Sequence, residues 1–182
     1  PPPPARRGAA PPPPARRGRA AGTAARVALG RHVPLDVYGM GVGKLAEHLA
    51  APGAASHDLP HDLPHGLHDD VPQAAMHARL ATSRAYLHPY RWTSLGLSLL
   101  EAMALGMPVL ALPTTEAPVA VPASAGLLSA RPDELAATAR RWLADPDDAR
   151  EHGRAARAHV LEHYSHVAFL RRWDTVLTEV TS

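Results

Sequence analysis

The chain of 182 residues is 46% hydrophobic and 20% charged, which suits one globular domain with a core, and it has no cysteine for disulfides or thiolate zinc sites. No apolar run approaches the roughly 18 residues of a membrane span, so we expect a cytoplasmic protein without an integral membrane segment. Residues 1–35 carry seven Arg and no acid. Removing those seven from the 19 basic residues leaves 12 against 17 acids, about −5, which argues against a nucleic-acid partner.

The N-terminus is a tandem ten-residue repeat over residues 1–20, in which Pro-Pro-Pro-Pro-Ala-Arg-Arg-Gly is followed by two further residues. Proline at this density removes amide donors and favours an extended polyproline II conformation. We predict that residues 1–21 are disordered and that residues 22–182 form the folded domain. The repeat is a passive tail, an altered start of the domain, or a polyproline ligand for an SH3-like partner.

Strand and helix patterns alternate after the repeat. The predicted elements are a helix over 24–31, a strand over 34–38, a helix over 44–51, a loop over 52–71, a helix over 72–83, a strand over 85–88, a helix over 95–105, a strand over 108–112 and a weak strand over 125–129. Ser94 is the expected N-cap of the helix over 95–105, and Gly106 is its expected stop.

Three helices close the chain, and the second is expected to begin with Asp145 as its cap and Pro146 at its first position. The apolar residues predicted to face inward are Leu135, Ala139, Trp142 and Leu143 in the first helix, Ala149, Gly153, Ala156 and Val160 in the second, and Phe169, Trp173, Val176, Leu177 and Val180 in the third. Strands that alternate with helices predict an α/β domain with a mainly parallel sheet.

A candidate binding site follows the predicted strand over 85–88. Ligands of open α/β sheets gather at the carboxyl ends of the strands, and the next helix points its free amides at the same place. These amides belong to Ser94, Leu95, Gly96 and Leu97, and they are suited to a diphosphate. Glu101 lies about one turn further, where it can accept hydrogen bonds from ribose hydroxyls. The structural alternatives are a plain helix cap, and a Glu101 that pairs with a nearby arginine.

The stretch from Tyr90 to Leu112 resembles the signature of retaining nucleotide-sugar glycosyltransferases of family 4. That signature has a Glu, then Gly-Phe-Gly-Leu, a second Glu eight residues after the first, then Ala-Met-Ala, Gly and Pro-Val. The matching residues are Gly96, Leu97, Glu101, Ala102, Met103, Ala104, Gly106, Pro108 and Val109. Thr93 stands where the family has its first Glu, and the run from Arg91 to Gly96 resembles a bacterial subgroup. The resemblance is specific over 71–118 and looser from residue 22 onward.

The resemblance implies a Rossmann-like parallel sheet flanked by helices, which is one half of the two-domain glycosyltransferase B-type fold. It implies transfer of a hexose from a nucleotide-diphosphate sugar with retention, without a metal or other cofactor. Glu101 would bind the ribose, Thr93 would face the donor sugar, and Arg91 and His88 are further donor-binding candidates. The acceptor domain is expected to be absent from these residues and supplied elsewhere, so the chain is expected to be inactive alone. The alternative is a non-catalytic or decayed nucleotide-sugar-binding module.

Other motifs are weaker candidates. Arg17 and Arg19 are the nearest counterparts of the family's diphosphate-binding cations, although solvated tail arginines explain them as well. Gly41 lies in a run of glycines over 39–43 that fits neither phosphate-loop spacing, so we interpret it as a loop beside the crevice. The run over 57–70, rich in His and Asp, is a duplicated surface loop or, in a metal-binding adaptor, a zinc site. Its last part, Asp70 to Pro72, resembles the family's turn near the nucleotide base.

Overall fold

The computed structural model describes residues 29, 32–39, 42, 65–91 and 94–181. The Pro/Arg repeat, the predicted helix over 44–51 and most of the predicted loop over 52–71 lie outside these residues. The candidate site residues that also lie outside them are Arg17, Arg19, Gly41 and Thr93.

Within the described residues, five short strands form two parallel sheets, which confirms the predicted α/β class. The strands are β1 (Leu35–Gly39), β2 (His65–Asp69), β3 (Tyr86–His88), β4 (Val109–Ala111) and β5 (Gly126–Leu128). One sheet pairs β1 with β2, and the other has the order β3-β4-β5. The four predicted strands are present, each within one or two residues of its predicted bounds.

Strand β2 corrects the prediction of a loop over 52–71. Its sequence, His-Gly-Leu-His-Asp, has no β-branched residue and gives no local strand signal. The strand exists because it pairs with β1, where Leu67 lies opposite Val37 and His68 opposite Tyr38. The rings of Tyr38 and His68 stack with their centroids 4.6 Å apart, so a side-chain contact supports the pairing.

Six helices have described bounds. They are α1 (Gln73–Leu80), α2 (Leu97–Ala104), α3 (Ala117–Ala120), α4 (Pro132–Ala144), α5 (Pro146–His163) and α6 (His166–Thr181). The short helix α3 was not predicted, since four residues give no periodicity to detect. Among the described residues, no helix is both long and apolar enough to cross a membrane.

The core lies on both faces of the three-stranded sheet. Side chains alternate along the central strand β4, so Leu110 joins one cluster while Val109 and Ala111 join the other. Buried Trp142 of α4 packs in the first cluster, and Met103 of α2 packs in the second. Helix α2 is thereby fixed against the sheet by its apolar face.

Helix α5 confirms its predicted start. The Asp145 carboxylate accepts hydrogen bonds from the amides of Asp147 and Asp148 at 3.1 Å each, and Pro146 occupies the first turn. All four residues predicted to face inward from α5 are buried, as are three of the four from α4. Leu143 is the exception, since 44% of it is exposed.

The predicted inward face of α6 is wrong. All five of its residues are about half exposed or more, from 47% for Val176 to 79% for Val180. Only Ala168, near the start of α6, is buried among the described residues. Helical periodicity identified an apolar face correctly, but it carries no information on whether another element covers that face.

Two glycines hold the far end of α2 against α5. Gly106 follows α2 and has a φ of +80°. The Gly106 amide donates a hydrogen bond to the Met103 carbonyl, and the Met107 amide donates one to the Ala102 carbonyl. The predicted glycine stop is therefore confirmed. A Cβ on Gly153 of α5 would overlap the Gly106 carbonyl oxygen, so the two backbones are in direct contact.

Candidate functional site

A cleft of about 450 Å³ lies between β1 and β3. Tyr38 at the end of β1, Pro89 and Tyr90 after β3, and Glu101 of α2 contribute to its wall. Buried residues such as Leu110 line it too, so part of the cleft is a gap in the apolar interior between the sheets. The end of the cleft near Tyr38, Tyr90 and Glu101 lies at the carboxyl ends of β1 and β3, where parallel sheets bind ligands.

Helix α2 begins beside this end of the cleft, where Ser98 of its first turn lines the wall. Its N-cap is Gly96, whose carbonyl accepts hydrogen bonds from the amides of Leu99 at 3.0 Å and Leu100 at 3.4 Å. The prediction of Ser94 as N-cap is wrong, because the helical bonds begin two residues later. Within the described part of the chain, the amides of Leu97 and Ser98 have no backbone acceptor. They form the positive end of the helix dipole beside the cleft.

Gly96 packs directly on His88 at the end of β3. A Cβ added to Gly96 would lie 2.7 Å from His88 Cε1 and 3.3 Å from its Nε2. The backbone at Gly96, with φ −72° and ψ 120°, suits any residue, so space requires the glycine and conformation does not. Gly96 therefore has a packing role, in addition to the predicted role of its amide in a diphosphate site.

His88 is a buried imidazole whose uncharged form is favoured by its surroundings. Only 3% of it is exposed, and burial lowers its pKa below the usual 6.5. The Tyr86 hydroxyl donates to Ser98 Oγ at 2.9 Å and lies 3.4 Å from His88 Nδ1, while the edge of the Tyr90 ring contacts the imidazole. These contacts connect β3 to the first turn of α2.

The Glu101 carboxylate lies at the rim of the cleft, and it is not the isolated group that its apolar neighbours suggest. Its side chain is 34% exposed, and Oε1 accepts a hydrogen bond from Gln73 Nε2 at 2.8 Å. Oε2 lies 3.7 Å from His77 Nε2. The arginine partner considered as an alternative is therefore replaced by a glutamine and a histidine of α1.

Sequence reasoning missed Gln73 and His77. Their separation by four residues puts them on one face of a helix, which is a visible signal. Nothing in the sequence indicates that this face meets Glu101, because the two segments are 28 residues apart.

The remaining predicted residues lie in the turn before α2, except Leu97, which is the first residue of the helix. Arg91 and Ser94 are exposed, Leu95 is partly buried, and Leu97 is 74% exposed. The structure thus brings His88, Gly96, Leu97 and Glu101 to one end of α2 and leaves Arg91 and Ser94 at the surface nearby.

On the side of β1 and β2, His68 connects two charged residues. Its Nε2 lies 2.8 Å from Asp36 Oδ1, and its Nδ1 lies 3.1 Å from an Arg79 guanidinium nitrogen. Asp70, which follows β2, has a φ of +48°, as in a tight turn. Among the described residues, no group of three His, Asp or Glu side chains is arranged to hold a metal ion. The zinc hypothesis covers residues 57–70, and its positions 57–64 lie outside the described residues.

Parallel strands flanked by helices, with a helix N-terminus at their carboxyl ends, define a Rossmann-like α/β domain of the kind that forms one half of the glycosyltransferase B-type fold. The chain belongs to the glycosyl transferase-like family, whose match covers residues 22–175. The Thr93 position, which departs from the signature above, lies within this match.

Two solved structures of the protein TarM share the architecture. A glycine-to-arginine mutant of S. aureus TarM, in complex with fondaparinux, alpha-GlcNAc-glycerol and UDP, superposes with a TM-score of 0.65 at 19% identity. A second TarM structure gives 0.60 at 22% identity. Each covers 90% of this chain, which spans only 33% and 32% of the respective TarM chains. A search of curated proteins gave no match.

Proposed function

We propose that this chain is the donor-binding domain of a retaining family-4 glycosyltransferase, which transfers a hexose from a nucleotide-diphosphate sugar. The observation that carries the proposal is the position of Glu101, on the rim of the cleft and one turn after the amides of Leu97 and Ser98, which have no backbone acceptor among the described residues. Membership of the glycosyl transferase-like family supports the same class of reaction.

The proposed donor lies across the start of α2. The Leu97 and Ser98 amides bind the diphosphate, since a helix N-terminus presents donors and a positive dipole end to an anion. Glu101 accepts hydrogen bonds from ribose hydroxyls through the oxygen that Gln73 does not hold. The developing charge on the leaving diphosphate is stabilised by the same amides, so the proposal needs no metal. Thr93, which stands where the resembling family has its first Glu, is the proposed donor-sugar residue, and the acceptor is held by a domain or subunit supplied elsewhere.

The test is a calorimetric titration of the purified chain with UDP, GDP, ADP and their sugars; UDP is included because the TarM complex holds it. The Glu101→Gln variant should bind the preferred nucleotide about 1.5–3 kcal/mol more weakly, the scale of a charge-assisted hydrogen bond. Glu151→Gln on α5 is the matched control, since Glu151 is exposed and does not line the cleft. Equal affinity of a folded Glu101→Gln variant and the parent would exclude the ribose role.

A second candidate is a non-catalytic nucleotide-sugar-binding module, which the threonine at position 93 favours. A hydroxyl can bond a sugar there, but it cannot replace the negative charge of the family's first Glu. This candidate shares the binding prediction and differs only in catalysis. Supplying a complete acceptor half would separate the two candidates, because only a catalytic donor domain should then transfer sugar. If the parent chain is inactive in this assay, the Thr93→Glu variant should gain activity only if the other catalytic residues are intact.

A further inference from the structure

The Glu101 carboxylate is held in one orientation before any ligand binds. Gln73 Nε2 donates to Oε1 at 2.8 Å, which is a strong, charge-assisted geometry. Gln73 and His77 lie one turn apart on α1, so both reach across to α2 from the same helix face.

His77 limits the position of the other oxygen. Its Nε2 is covered by protein and, within the described residues, has no hydrogen-bond partner, although it lies 3.7 Å from Glu101 Oε2. This separation is too long for a hydrogen bond. Within the described residues, His77 therefore adjoins Oε2 at ion-pair distance without donating a hydrogen bond to it.

We propose that Gln73 is a positioning residue that holds Glu101 so that Oε2 faces the vicinal hydroxyls of a nucleotide ribose. The inference rests on the proposed function and adds a residue to it from an element outside the signature stretch. Gln73 acts through Glu101 and does not itself touch the nucleotide. Without it the carboxylate must lose rotational freedom each time a ligand binds, and that loss weakens only the contacts that Glu101 makes.

The experiment compares UDP with 2′,3′-dideoxy-UDP by calorimetry, with the GDP and ADP pairs titrated in the same way. The parent chain should prefer the ribose form by about tenfold or more, as one charge-assisted hydrogen bond implies. Gln73→Ala should remove most of this preference while its affinity for the dideoxy form stays within about twofold of the parent. Gln73→Lys, which keeps a donor able to reach the carboxylate, should retain much of the preference.

Arg79→Ala is the matched control on the same helix, because Arg79 contacts His68 and not Glu101. It should keep the parent's preference. If the parent prefers ribose and Gln73→Ala prefers it equally, the inference is wrong and the proposed function stands. If the parent binds no nucleotide, both fall. Gln73 is exposed, so a Gln73→Ala chain that fails to fold by circular dichroism would make Gln73 structural and also overturn the inference.

Discussion

At the scale of single residues, the contact between Gly96 and His88 governs how the start of α2 can be altered. The signature stretch indicates a glycine that admits a ligand, whereas the structure adds an imidazole directly behind it. A substitution at Gly96 that abolishes nucleotide binding would therefore not by itself locate the phosphates. Stability has to be measured alongside binding.

Gly96→Ala should destabilise the fold by about 1–3 kcal/mol, because the new methyl group collides with the buried His88 ring. Urea unfolding followed by circular dichroism measures the effect. Ser94→Ala, at an exposed position in the same turn, should change stability by less than about 0.5 kcal/mol. In a His88→Ala background the Gly96→Ala effect should shrink strongly; an undiminished effect would show that the collision is with something else.

His88 also predicts how stability depends on pH. Its pKa is lowered by burial, so near pH 6.5 the unfolded chain binds more proton at this position than the folded chain does. The stability that neutral His88 allows is present above about pH 6.5, and it is lost as the pH falls toward the lowered pKa of the folded state. His88→Gln should therefore show a flatter fall in unfolding free energy between pH 7.5 and 5.

The comparison of the parent with His88→Gln cancels the other histidines, including His159, whose pKa burial and the nearby His163 also lower. Parallel stability curves for parent and variant, measured by urea unfolding across this range, would contradict a neutral buried His88.

At the scale of elements, helices α4 and α6 each carry one tryptophan on an apolar face, and they differ in how far that face is buried. Trp142 is fully buried, whereas Trp173 is half exposed and contacts the ring of Phe169. Both lie on an apolar helical face. Only the surrounding structure decides which face contributes to stability.

We predict that Trp142→Ala costs about 3–5 kcal/mol, as truncation of a buried aromatic does, while Trp173→Ala costs about 1 kcal/mol or less. Trp142→Phe provides a milder variant if the larger change leaves too little folded protein. Thermal melts at two protein concentrations check both. A large cost at Trp173 that varies with concentration would mean that the α6 face is covered by another copy of the chain.

The elements that could be predicted are those whose signals are local. Asp145 and Pro146 mark the start of α5, and Gly106 marks the end of α2, because caps and stops depend on neighbouring backbone groups. Strand β2 could not be predicted, since its structure comes from pairing with β1. The hydrogen bond between Gln73 and Glu101 could not be predicted either, because it joins two segments that lie 28 residues apart in the sequence and meet only in the folded chain.

At the scale of the whole molecule, the chain spans about one third of the TarM chains that it resembles. The activity of a complete enzyme therefore remains a proposal for this chain, while donor binding is the part that its own site can test. Sugar transfer needs the donor and the acceptor held together, and that proximity supplies a large share of the rate.

We predict that a polypeptide of these 182 residues binds a nucleotide diphosphate but transfers no sugar. The assay measures labelled product from UDP-glucose and UDP-N-acetylglucosamine with a mixture of sugar and polyol acceptors. Glu101→Gln serves as the background control. Turnover by the purified polypeptide above that background would refute the prediction and would show that the acceptor site lies within these residues.

The glycine contact at the far end of α2 has a consequence for the kinetics of binding. Gly106 abuts Gly153, and the fully buried Ala102 and Met103 fix the helix just past Glu101, so α2 cannot shift without breaking the core. A nucleotide would then meet a preorganised carboxylate and require no slow rearrangement of this helix. We expect a single association phase whose rate rises linearly with nucleotide concentration, so that differences in affinity among nucleotides lie mainly in how slowly each one dissociates.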